Sequence, residues 1–154
     1  MERTQINVLD KEREFKIEEL FFSVTDEKGI VQFGNNVFTR ISAYTEEELI
    51  GAPHNIIRHP DMPRAVFKLL WDYLEAGKTI GAYVKNLAKD GCYYWVMAIV
   101  MPCLNGYLSI RLKPSSPFFD LIHTLYQEIL TTEQEIETGS GSRKDAIPNY
   151  SQKR

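Results

Sequence analysis

Only two cysteines, Cys92 and Cys103, and three histidines occur in 154 residues. Neither type supplies the closely spaced ligand pairs of a structural zinc site, and His123 stands far along the chain from His54 and His59. Both thiols fall in apparent strand segments, where a free Cys behaves as a small hydrophobe that a reducing compartment keeps unpaired. Long apolar runs are also missing: none approaches the roughly 20 residues needed to cross a bilayer. The amino terminus, MERTQINVLDKERE, has no signal-peptide core. A cytoplasmic chain without direct membrane insertion is expected. Lys and Arg total 18 against 21 Asp and Glu, for a formal net charge of -3. The acidic residues are spread, and there is no basic footprint with which to neutralise nucleic-acid phosphates. No Gly-rich phosphate loop, recognisable nucleophile motif, or kinase or cyclase segment occurs, which argues against an enzyme.

What is present suits one domain with tails. The hydrophobic fraction of 44% and charged fraction of 25% are those of an ordinary globular chain. Residues 9–19 are charged and rich in helix formers, which suggests a short amino-terminal helix or cap. Leu20–Thr25 and Ile30–Phe33 read as strands, with turn chemistry at Asp26-Glu27-Lys28-Gly29 between them. Asn35 and Asn36 are suited to cap the next segment; Thr45 with Glu48 forms a capping box ahead of Gly51. After a loop containing Pro53, Pro60 and Pro63, Val66, Leu69, Leu70 and Tyr73 fall at helical spacing and stop at Gly77. Thr79–Leu87, Cys92–Met101 and Tyr107–Leu112 read as three strands, joined at Lys89-Asp90-Gly91 and Asn105-Gly106. In the last strand, Leu108, Ile110 and Leu112 alternate with Tyr107, Ser109 and Arg111, giving an apolar face to bury and a more polar one. The pattern predicts an α+β domain: a five-stranded antiparallel sheet, short helices on one face with a cleft beneath them, and a carboxy-terminal helix.

Several of these segments carry a resemblance. Tyr44-Thr45-Glu46-Glu47-Glu48-Leu49-Ile50-Gly51 resembles the helix-and-turn signature of PAS domains. Pro53-His54-Asn55-Ile56-Ile57-Arg58-His59-Pro60-Asp61-Met62-Pro63 narrows the resemblance to the bacterial aerotaxis-receptor subgroup. Val84-Lys85-Asn86, Lys89-Asp90-Gly91, Tyr94-Trp95-Val96 and Tyr107-Leu108-Ser109-Ile110-Arg111 follow in the same order. The similarity spans residues 20–114, leaving 1–19 as a cap, 115–138 as a helix and 139–154 as a flexible tail. It implies a PAS fold that binds flavin adenine dinucleotide (FAD) and reports redox or oxygen-linked energy state to a chemoreceptor or other signalling protein. A ligand-free PAS module that dimerises, and a haem-based gas sensor, are the alternatives.

A flavin needs flat apolar walls and a few amides for its pyrimidine edge. Trp71, Phe67, Trp95 and Asn86 offer such groups, although the aromatic residues also suit a packed core. The resemblance favours Trp71 for the ligand. An amide such as Asn86 in a strand suited to burial wants a partner, since leaving it unpaired costs roughly 1–3 kcal/mol. Asn35 serves equally as a helix cap. Arg58 and His59 could hold phosphates or ribose, or form an ion pair with Asp61. His54 and His59 invite the haem alternative, for which one axial His suffices. Neither cysteine lies in the helix-loop region where photochemical flavin sensors place theirs. The sequence also has Ile80-Gly81-Ala82 where related flavin domains often have a Trp, which removes an aromatic wall. Finally, Phe118, Ile122, Leu125, Ile129 and Ile136 keep a heptad-like spacing, with Thr132 in one weaker place. Their stripe is to be buried on the domain's own sheet or on a second copy, making a homodimer or receptor contact through Ile122, Leu125 and Ile129.

Overall fold

The computed structural model describes residues 5–139, so the expected tail beyond Gly139 lies outside the described residues. Strands β1 (Phe21–Asp26) and β2 (Val31–Gly34) are followed by helices α1 (Asn36–Ser42) and α2 (Glu46–Leu49), a 3-10 turn (His54–Ile57) and α3 (Arg64–Glu75). Strands β3 (Ile80–Leu87), β4 (Tyr93–Cys103) and β5 (Gly106–Leu112) then lead into α4 (Phe118–Gly139). The sheet order is β2-β1-β5-β4-β3, all antiparallel. This is the expected α+β arrangement.

Local chemistry sets its corners. Asp26 accepts from the backbone N–H of Lys28 and Ile30, both at 2.9 Å, and Gly29 turns at φ 78°, closing the first hairpin. Thr45 and Glu48 form the reciprocal capping box that starts α2. Gly77 ends α3 at φ 75°.

Two expectations are corrected. The helix formers near the amino terminus do not make a helix. Their backbone groups go instead to the β3–β4 hairpin: Leu9 N–H donates to Gly91 O, Arg13 N–H to Tyr93 O, and Tyr93 N–H to Lys11 O. Arg13 also pairs with Asp90. Phe15 anchors this extended arm by inserting edge-on against Phe21 at 5.6 Å. Long-range pairing thus overrides a weak local propensity.

The second correction concerns β5. Its buried residues are Ser109 and Arg111, whereas Leu108, Ile110 and Leu112 are only half-buried. The alternation holds but the faces are the reverse of those expected, because the face under the helices borders a cavity that takes polar groups. The same inner face carries Phe21, Ser23 and Thr25 of β1 and Tyr94, Val96, Ala98 and Val100 of β4, all buried. The opposite face receives α4 through Tyr83, Trp95, Phe119, His123 and Tyr126.

Gly91 turns at φ 93° where a Cβ would strike the Asn7 carbonyl. Gly91→Ala is expected to lower stability by about 1–3 kcal/mol and to expose residues 5–15 to native-state proteolysis. Urea titration with limited proteolysis checks this, and unchanged values would mean the arm is not seated as described.

Candidate functional site

A cavity lies between α3 and the inner sheet face. Phe67, Leu70, Trp71 and Leu74 of α3 form its roof; Val84, Asn86, Val96, Ala98 and Val100 its floor; and Tyr107, Ser109, Arg111 and Thr25 one side. His54, Asn55, Ile57 and Arg58 complete the wall. The interior measures about 100 Å³, and the whole cleft counted out to solvent about 790 Å³. Small-molecule sites usually need about 300–1,000 Å³, so a tricyclic ring enters the interior only as the wall gives way. Arg58 lies 3.8 Å over the Phe67 ring, and Trp71 meets Tyr107 edge-on at 5.4 Å.

The buried polar residues of this cavity include Asn86 and Arg111. Asn86 is 4% exposed, and its carboxamide makes no hydrogen bond among the described residues. Arg111 is 1% exposed, and among the described residues no carboxylate accompanies it. Its guanidinium donates to Ser23 Oγ at 2.6 Å and to His54 Nε2 at 3.1 Å, and lies over the Phe38 and Phe21 rings at 4.3 and 5.0 Å. Its Nε has no partner among the described residues. Burial lowers the Arg111 pKa to about 10, which leaves it charged at neutral pH. His54, half-buried by surface area, must be neutral and unprotonated at Nε2 to accept from Arg111. Consistently, burial first, then the charges of Arg111 and Arg58, push its pKa down to about 3. The lining residues include no Asp or Glu.

Five of the eight expected ligand residues therefore meet at one place: Trp71, Asn86, Arg58, Phe67 and His54. Three do not. Asn35 caps α1 by accepting from Phe38 N–H and ties down β1 through Phe22 N–H and Leu20 O. His59 is buried against the edge of β3: its N–H donates to Lys85 O, and its Nδ1 accepts from Asp61 N–H at 3.0 Å. Trp95 faces away from the cavity and packs on Phe119, His123 and Tyr126 of α4.

Residues 32–106 match the family described as PAS fold. The aerotaxis receptor of Escherichia coli strain K12 is 36% identical over 129 residues, covering 79% of this chain and 26% of the receptor. This is a PAS domain of the aerotaxis-receptor type. The chain spans about a quarter of the length of that relative. Two solved structures share the fold. The light state of the blue-light photoreceptor Aureochrome1 LOV has a TM-score of 0.56 and 17% identity, covering 75% of this chain and 91% of that one. The Erythrobacter litoralis blue-light activated histidine kinase has 0.59 and 9%, covering 77% and 40%.

Within the PAS domain, the residue missed by sequence reasoning is Arg111. It sits at the end of Tyr107-Leu108-Ser109-Ile110-Arg111, and the signal was there: an Arg in register with Ser109 on a central strand has to be buried on one face or the other. Among the described residues, no cluster of His, Cys, Asp or Glu could hold a metal, and no helix is long and apolar enough to cross a membrane.

Folding stability of the PAS domain should fall as pH drops from 7.5 to 5.0. The unfolded chain protonates its histidines near 6.5, while His54 stays neutral in the fold until about pH 3, so the unfolded state binds more protons in this window. His59, lowered by burial and then by Lys85 against the opposing pull of Asp61, adds in the same direction. The expected loss from His54 is at most about 2 kcal/mol. Urea unfolding at the two pH values, with His54→Gln as the flatter comparison, checks the sign and size.

Proposed function

We propose that this PAS domain binds FAD beneath α3 and reports redox or oxygen-linked energy state to a chemotaxis-type signalling partner in the cytoplasm, without acting as an enzyme. One observation carries the reading: Asn86, 4% exposed, and Arg111 Nε, buried and without a partner among the described residues, belong to an aromatic, acid-free cavity. A flavin, when bound, supplies an acceptor for one or two electrons. The Asn86 amide can donate and accept at the ring's pyrimidine edge. Arg111 favours negative charge placed near it, since its own charge has no carboxylate to answer it. Trp71 and Phe67 give the flat walls, and Arg58 at the wall is suited to the diphosphate. The resemblance to the aerotaxis-receptor subgroup supports FAD in particular.

A ligand-free dimerisation module is the competing reading, favoured by the small interior and by Ile80 on the cavity-facing row of β3. Haem is disfavoured because His54 Nε2 accepts from Arg111 and His59 does not line the cavity. Protein purified without added cofactor is expected to be yellow, with bands that bleach on reduction; a colourless protein that takes up no added FAD would overturn the reading. Trp71→Ala and Asn86→Ala should each lower FAD retention tenfold or more while the fold persists, as the loss of one stacking wall or one paired amide is worth about 1–3 kcal/mol.

The output side of the reading is a homodimer or receptor contact through α4. Phe118, Leu121 and Leu125 remain 69%, 65% and 44% exposed there, beside the half-buried Ile122 and Ile129. Sedimentation of the intact chain against an Ile122→Glu, Ile129→Glu variant tests the homodimer: dimer for the first and monomer for the second is expected.

A further inference from the structure

Helix α3 has no cap of its own. Its N-cap residue is Pro63, which offers no side-chain acceptor, and its first turn contains no acidic residue. The missing acceptor arrives from α4. Glu133 takes the N–H of Arg64 at 3.0 Å on one carboxylate oxygen and that of Ala65 at 2.8 Å on the other. At 4% exposure Glu133 is buried, and on α4 it alone reaches that class among the described residues. Among the described residues no cation pairs with its carboxylate; its charge is met by the two amides and the positive end of α3. One turn further along α4, Glu137 pairs with the Arg64 side chain. At the other end, α4 is fixed to the back of the sheet, with Phe119 and His123 on Trp95 and the Tyr126 hydroxyl donating to Tyr83 O at 2.9 Å.

A buried carboxylate held this way is either seated or released, since a half-made contact would leave its charge buried and unpaired. Seating depends on where α3 begins, and α3 carries the roof residues Phe67, Leu70, Trp71 and Leu74. We propose that Glu133 is a latch joining the position of the cavity roof to the docking of the carboxy-terminal half of α4, so that a ligand which displaces α3 frees α4 for its partner. The ligand arm of this proposal rests on the FAD reading above; the coupling of α3 to α4 does not. Linkage makes the effect reciprocal: freeing α4 also changes how tightly the roof holds a ligand.

Native-state hydrogen exchange on the full chain tests it, comparing the unaltered protein with Glu133→Gln and with Glu128→Gln, a change at an exposed α4 position. Without FAD, Glu133→Gln should speed exchange at least tenfold at Arg64 and Ala65, through α3 residues 67–74 and over α4 residues 130–137. The amides of β1 and β5, and every site in Glu128→Gln, should keep their rates. Arg64→Ala, which removes only the outer ion pair, should give a smaller change of the same pattern, and it serves if Glu133→Gln does not fold. Unchanged α4 exchange, or equal acceleration across the sheet, would overturn the latch. With FAD added and its binding followed by absorbance, α4 exchange should rise in the unaltered protein but not further in Glu133→Gln. Bound FAD without that rise would overturn the coupling to ligand, whereas absence of bound FAD would refute the flavin reading and leave the FAD-free comparison to decide the latch.

Discussion

A guanidinium buried without a carboxylate is the constraint around which this domain is arranged. Taking a cation out of water costs many kcal/mol unless other groups replace the lost hydration. Here three elements supply the replacement. Ser23 comes from β1, His54 from the 3-10 turn, the Phe38 ring from α1, and Arg111 itself projects from β5 between them. Moving any of these elements leaves the charge short of a partner, so Arg111 fixes the helical layer over the sheet more firmly than apolar contact alone. The neutral state of His54 follows from the same geometry, because a protonated ring could not accept from a guanidinium. A site poised to answer negative charge is therefore also a structural keystone.

The loop with the most distinctive sequence has an equally physical role. Strand β3 lies at the edge of the sheet, where unpaired backbone groups invite association with other chains. Arg58 bridges to Asn86, His59 N–H donates to Lys85 O, Met62 Sδ accepts from Lys85 N–H, and Asp61 pairs with the Lys85 ammonium. Tyr126 adds a bond to Tyr83 O. Arg58-His59-Pro60-Asp61-Met62 thus covers an open edge, and only Arg58 of that run also lines the cavity.

The five strands, their turns and the capping box of α2 were legible because each is set by residues within a few positions of one another. The site was legible in part. Asn86 and Trp71 stood out as groups in need of a partner, but Trp95 was placed with them although the β3–β4 register pairs Asn86 with Tyr94 and Lys85 with Trp95, on opposite faces. The hairpin turn at Lys89-Asp90-Gly91 contained that information. The β5 faces were misjudged because a rule that buries apolar side chains presumes a dry interior. The heptad reading of α4 chose the aliphatic stripe, whereas the helix docks by the neighbouring one through Phe119, His123, Tyr126 and Glu133. Aromatic rings on a tryptophan and a carboxylate on a helix end are partners that no local pattern announces.

The borrowed cap of α3 has a consequence for the order in which the chain acquires its shape. Glu133 lies 69 residues downstream of Arg64. During synthesis, when chains emerge at about 5–20 residues per second, the helix must wait several seconds with its leading amides open to water. Closing so long a loop is an entropic cost met only late. The nascent domain would therefore have its sheet formed and its roof still loose until α4 emerges and shuts it.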